Sequence, residues 1–192
     1  DWGELSVWDC PPGSRPGPRC RGTVPLFVLV SCFICCRFMP EPLLHLVLLQ
    51  PEIPFNAGAI GRTCVAIGAK LWLVRPLGFQ LDSKHIRRAG LDYWEHLDWE
   101  VVDDWTELME ALPGCQPWLF SKTAARHYTD AEFQLSDMLV FGSESAGLPR
   151  SMLEADPERC LRVPMRPETR SLNLSVTAGI VAYEARRQLV AG

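Results

Sequence analysis

Residues 43–75 read LLHLVLLQPEIPFNAGAIGRTCVAIGAKLWLVR. Leu43–Gln50 is a continuous apolar run closed by Pro51, the pattern of a strand buried on both faces. Ala57–Gly68 fits a short helix, with Gly68 placed to end it. Lys70–Arg75 is a second apolar strand, stopped by Pro76. Strand, helix and strand in this order call for parallel pairing, because the helix carries the chain back to the starting edge.

The alternation continues downstream. Asp82–Ala89 reads as a helix with Asp82 or Ser83 as its cap. Glu100–Val102 is a short strand, and Asp104–Leu112 a helix stopped by Pro113-Gly114. Trp118–Ser121 and Met138–Phe141 are strands, Met152–Ala155 is a helical turn, and Cys160–Val163 is the last strand. Ser171–Val190 is a long helix whose expected apolar stripe runs through Leu172, Val176, Ile180 and Tyr183. The pattern predicts an α/β fold with a mainly parallel sheet and helices on both faces.

Of 192 residues, 47% are apolar and 22% charged, which excludes a disordered chain and a multi-span membrane protein. The net charge of -4 gives no global basic field, so any nucleic-acid role rests on a local cluster. Residues 92–110 carry acids and no Lys or Arg, as a solvated face does. Arginines gather at Arg87 and Arg88 and again at Arg150, Arg159, Arg162, Arg166 and Arg170. A polyanion would dock there.

A compositional seam separates residues 1–40 from residues 41–192. The first part holds Cys10, Cys20, Cys32, Cys35 and Cys36 and opens with a Pro-, Gly- and Arg-rich stretch unsuited to helix or strand. Its apolar run Val24–Cys36 is shorter than the roughly 20 residues a spanning helix needs. Three readings stay open for it: a signal-like segment, a genuine extension, or sequence translated upstream of a start at Met39. Cys32-x-x-Cys35 lacks a second pair, so no metal is expected there. The globular part, residues 41–192, holds Cys64, Cys115 and Cys160, scattered as in a reduced, cytoplasmic protein. No His lies at metal-ligand spacing from a Cys or carboxylate.

Three turns could carry chemistry. Pro51–Arg62 joins the first strand to its helix; a dinucleotide reading fails because Asn56 stands where the first Gly is needed and the second strand ends in Arg75. Asn56 and Arg62 read either as a polar pair facing an anion or as a helix cap beside a surface arginine. Phe141–Pro149 (FGSESAGLP) approaches a nucleophile elbow around Ser145, but no His follows it in the chain. Val163–Ser175 leaves a strand through prolines and places Ser171, Asn173 and Ser175 where a helix begins, which capping alone would explain.

Taken together, these segments resemble the knotted SPOUT-class methyltransferases, and most nearly the TrmL-like tRNA 2′-O-methyltransferases. The resemblance spans Leu43 to about Leu189. It rests on Glu52-Ile-Pro-x-Asn56-x-Gly58-x-x-x-Arg62, Arg87-Arg88-Ala-Gly-Leu-Asp-Tyr93, Phe141-Gly-x-Glu144-x-x-Gly-Leu-Pro149, Pro164-Met165 and Ser171-Leu-Asn-Leu-Ser175. One departure is Ser121-Lys122-Thr123, where relatives usually carry Ser/Thr-Thr-Lys. The resemblance implies a homodimer with a C-terminal deep trefoil knot. It implies S-adenosylmethionine held largely by backbone groups at Phe120, Ser121, Gly142, Val163, Ser171 and Leu172. The implied reaction is methyl transfer to the wobble-nucleotide ribose of tRNA, with Arg62 at the hydroxyl and Glu144 and Asn173 as catalytic candidates. Asn56, Arg88, Arg170 and Ser175 are the implied substrate contacts. Neither a metal nor a membrane is implied.

Overall fold

The computed structural model describes residues 42–80 and 94–190. The expected helix Asp82–Ala89, Arg87 and Arg88, and the expectations for residues 1–40 lie outside them.

Seven strands form one sheet: β1 (Leu44–Leu49), β2 (Lys70–Val74), β3 (Trp99–Val102), β4 (Pro117–Phe120), β5 (Arg126–His127), β6 (Asp137–Phe141) and β7 (Cys160–Arg162). Their spatial order is β3-β2-β1-β6-β4-β7-β5. Every pairing in the sheet is parallel. The sequence pattern missed β5, whose Arg126-His127 is too short and polar to register as a strand. Two late strands, β6 and β7, are inserted between earlier ones, as the C-terminal threading implied by the resemblance requires.

Helices cover both faces. On one, α1 (Pro54–Ile67) and α4 (Leu174–Val190) pack Ala57, Ile60, Cys64, Ala178, Val181, Ala182 and Ala185 against Leu46, Leu48, Leu71, Leu73 and Leu139. On the other, α2 (Trp105–Ala111) and α3 (Arg150–Ala155) cover Val47, Leu49, Trp72, Val74 and Val140. The alternation of these two sets along β1 and β2 follows from the two-residue period of a strand.

Helix boundaries differ from expectation in instructive ways. α1 begins at Pro54, which is preorganised for a first helical position. Its end is as expected: Gly68 takes φ 72° in the left-handed region. α2 is capped by Asp104, whose carboxylate accepts the Glu107 N–H at 2.9 Å. The last helix starts at Leu174 rather than Ser171. Asn173 is the residue whose Oδ1 accepts from the backbone of Ser175 at 2.9 Å and Val176 at 3.3 Å. The expected stripe on this helix is also corrected. Its buried face is Ala178, Val181, Ala182 and Ala185, where small side chains let α4 lie close to the sheet. Val176 and Tyr183 stand exposed on its other side.

Among the described residues no helix is long and apolar enough to cross a membrane. The acidic segment is partly engaged: Lys70 Nζ lies 3.0 Å from Glu100 and Arg75 Nε 3.2 Å from Asp103.

His45 is a buried polar group in the middle of this apolar sheet, 6% exposed. Its Nδ1 accepts from the Trp72 indole N–H at 3.0 Å, which requires the neutral ring with its proton on Nε2. Burial, reinforced by Lys70, pushes its pKa down to about 4. In the unfolded chain the ring titrates near 6.5, so between those values only the unfolded state carries the proton. Stability is therefore full above about pH 6.5 and falls as pH drops toward 4, by about 3 kcal/mol from this one group. His45→Gln keeps an acceptor for Trp72 without titrating. In urea unfolding at pH 7 and pH 4.5 the variant should lose less stability on acidification than the parent. Equal losses would remove His45 from the acid response.

Candidate functional site

The carboxyl ends of the four central strands are level. Leu48 pairs with Phe141, Phe141 with Phe120, and Phe120 with Leu161. The loops leaving these strands therefore start side by side at one sheet edge, where open α/β sheets place their ligands. Beneath them Phe120 and Phe141 stack with ring centroids 4.9 Å apart.

Glu144 joins the loop after β6 to the start of α1. Its carboxylate accepts from the backbone N–H of Glu52 at 2.8 Å and Ile53 at 3.2 Å, and from Asn56 Nδ2 at 2.8 Å. α1 has no acid in its own first turn, and its capping residue Ile53 offers no side-chain acceptor. Glu144 supplies that acceptor from 88 to 92 positions along the chain, at the end of the helix where negative charge is favoured. Asn56 is therefore a buried first-turn residue, not the cap that one sequence reading made it.

Asn56 carries the connection onward. Its Oδ1 accepts from Asn173 Nδ2 at 3.0 Å. Asn173 Oδ1 in turn accepts from the Ser175 hydroxyl at 2.6 Å while capping α4. One hydrogen-bonded chain, Glu144–Asn56–Asn173–Ser175, thus ties together all three turns singled out in the sequence. Ser145 donates its hydroxyl to Glu52, so it serves the same junction and not a hydrolase triad.

Arg62 lies in the third turn of α1 and is exposed. It lies six helical positions after Asn56, about 9 Å along the axis and about 120° around it. The two residues leave the helix on different sides. Cys64 is fully buried, and burial pushes its thiol up to about 12, which leaves it inert as a nucleophile.

The residues expected at a methyl donor sit on the level loops. Phe120 and Gly142 are buried, Ser121, Val163 and Leu172 half-buried, and Ser171 exposed. Gly142 has a specific reason to lack a side chain: a Cβ there would lie 2.1 Å from the carbonyl carbon of Gly147. The loop folds back onto its own strand end, with Gly147 at φ 71° and its N–H bonded to the Ser143 carbonyl at 2.9 Å. The Ser121 N–H is held by the Leu161 carbonyl at 3.0 Å. A groove of about 350 Å³ opens between the loop after β4 and the loop after β7, walled by Lys122, Thr123, Arg162, Val163, Met165, Arg166 and Arg170 among others. Val163, Met165 and Pro167 supply apolar lining and Lys122, Arg162, Arg166 and Arg170 a cationic one, beside the backbone-rich turns at Ser121 and Gly142 that suit an adenosyl group. Arg170, an expected substrate contact, lines this groove, while Arg88 lies outside the described residues. Arg162 and Arg166 belong to the arginine cluster that the sequence marked for a polyanion; Lys122 is the groove wall that sequence reasoning missed.

The fold is similar to those of solved methyltransferases, and the architecture is that of an α/β RNA methyltransferase. One is a structure described as giving insights into 2-OH methylation of C/U34 on tRNA: 49% identical, TM-score 0.73, covering 78% of this chain and 97% of that one. Another is the SpoU methyltransferase AviRb from Streptomyces viridochromogenes with its cofactor AdoMet: 25% identical, TM-score 0.68, covering 80% of this chain and 60% of that one. The model of the SpoU rRNA Methylase family matches residues 43–183, and the chain belongs to that family. The tRNA (cytidine(34)-2′-O)-methyltransferase of Methylovorus glucosotrophus is 48% identical over 145 residues, 74% of this chain and 94% of that protein. A putative enzyme of the same description in Bacillus subtilis is 46% identical over 148 residues, 76% and 92% of the two chains.

Proposed function

We propose that this chain transfers the methyl group of S-adenosylmethionine to the ribose 2′-OH of nucleotide 34 of tRNA, a cytidine or uridine. The observation that carries the reading is the unbroken chain Glu144–Asn56–Asn173–Ser175 at the sheet edge, in a protein 48% identical over 145 residues to an enzyme of that description.

When bound, the donor supplies an electrophilic methyl on sulfonium, so the protein's task is to bring a poor nucleophile into line with it. Phe120, Ser121, Gly142, Val163, Ser171 and Leu172 would hold the donor at the level strand ends. Arg62 would face the ribose. A guanidinium carries five N–H donors and no acceptor, so Arg62 would support the developing alkoxide or grip a neighbouring phosphate. Glu144 already accepts from three N–H groups and acts through α1 as a positioning residue. Asn173 and Ser175, at the exposed end of the network, are placed to orient the ribose. Arg170 and Arg88 are the proposed phosphate contacts.

The same reading includes a second copy of this chain. Ile53 and Phe55 at the start of α1, and Val176 and Tyr183 on the adjoining α4, are 43%, 67%, 50% and 54% exposed. Large apolar side chains left bare on two neighbouring helices are what an interface covers.

Arg62→Ala substitutes a good helix former at an exposed position, so the fold should survive. Methyl transfer to unmodified tRNA from labelled S-adenosylmethionine, with nucleotide mapping, should fall at least a hundredfold while calorimetric donor affinity changes less than threefold. Retained turnover would remove Arg62 from the reaction, and wild-type label at another nucleotide would overturn the assignment to position 34. Val176→Asp with Tyr183→Asp should halve the mass read by light scattering after gel filtration. An unchanged mass would place the subunit contact elsewhere or exclude it.

A further inference from the structure

The groove beside the joined turns carries more positive charge than a methyl donor uses. Lys122, Arg162, Arg166 and Arg170 all line it, in a chain whose net charge is -4. The loop that forms one wall has one acid, Glu168, and it is not among the lining residues. Two threonines, Thr123 and Thr169, add hydroxyls between the cations.

Two of the cations are set in place by local structure. The Ser121 hydroxyl accepts the Thr123 N–H at 3.3 Å and pairs with the Thr123 hydroxyl at 2.9 Å, while the Ser121 carbonyl accepts the Ala124 N–H at 3.2 Å. Lys122 therefore sits at the middle of a closed turn, on the groove wall. Arg162 ends β7, with one Nη nitrogen 3.2 Å from His127 Nε2. Its Nε is buried without a hydrogen-bond partner in the described structure. Such a donor is costly to bury unless something accepts from it. Arg162 thus brings to the groove lining a cationic side chain that still has an unused N–H donor.

We propose that this groove binds the phosphodiester backbone of the RNA strand next to the target ribose, with Lys122, Arg162 and Arg166 as its contacts. The inference rests on the proposed RNA substrate and extends it by naming where the strand runs: off the sheet edge between the loops that follow β4 and β7. Phosphate fits better than a lone carboxylate because four cations exceed what one carboxylate neutralises, and a strand offers successive phosphates at the spacing of a groove. The order Ser121-Lys122-Thr123 puts the lysine at the turn's centre, so this contact belongs to this chain's own loop.

The test uses the full-length protein with Lys122→Gln/Arg166→Gln, both exposed positions whose loss should leave the melting temperature unchanged. Arg162→Gln is the second variant, read in the same way. Binding of unmodified tRNA across a potassium chloride series should weaken at least tenfold in the double variant. The slope of log K against log salt should fall by about 1.5, as expected for two lost phosphate contacts. KM for tRNA should rise with kcat within twofold, and calorimetric affinity for S-adenosylmethionine should stay within twofold. Unchanged tRNA affinity and salt slope would overturn the proposal. So would a loss of donor affinity with tRNA binding intact, which would assign the groove to the donor's carboxylate. Absence of methylation at nucleotide 34 by the wild type would defeat the functional reading separately, since the salt series reads RNA binding without turnover.

Discussion

One asparagine side chain holds the site together. Asn56 is 5% exposed and uses both ends of its amide, donating to Glu144 and accepting from Asn173. Its donor and its acceptor are separate atoms, so each can face a different turn. Aspartate lacks the donor, and leucine would take from Glu144 and Asn173 the partner that joins them. The three turns it joins are far apart in sequence, and each leaves a different element. Without this link, the start of α1, the loop after β6 and the start of α4 would each have to be ordered separately, against the conformational entropy of three loops.

The sheet makes the link possible. In an all-parallel sheet every strand delivers its following loop to the same edge, and insertion of β6 beside β1 brings Glu144 to the start of α1. Insertion of β7 beside β4 brings the basic loop 163–170 against the turn 121–123. The edge thus divides into a hydrogen-bonded half, built on the Glu144 carboxylate, that fixes geometry and a cationic half that collects charge. A methyl transfer between a sulfonium and a hydroxyl on a polyanion needs both.

Much of this was legible in the sequence because the signals were local. Apolar runs bounded by prolines gave β1 and β2, Gly68 gave the end of α1, and Asp104 gave the start of α2. What failed did so for reasons of tertiary structure. The last helix buries alanines, since it lies close to the sheet, so counting large apolar residues selected its outward face through Val176 and Tyr183. β5 exists because β7 lies beside it, not because Arg126-His127 favours a strand. The three turns were found one by one, yet their hydrogen-bonded union spans 88 and 117 positions and leaves no periodicity to read. The C-terminal knot likewise entered only as what the resemblance implies, since general connection rules disfavour it.

The most direct test of the union is a double-mutant cycle on kcat/KM for tRNA with Asn56→Ala, Asn173→Ala and the pair. If the side chains act as one unit, the double variant will be no slower than the worse single variant, within about threefold. Losses that simply multiply would mean the two residues act independently, and the joined-turn account of the site would be wrong.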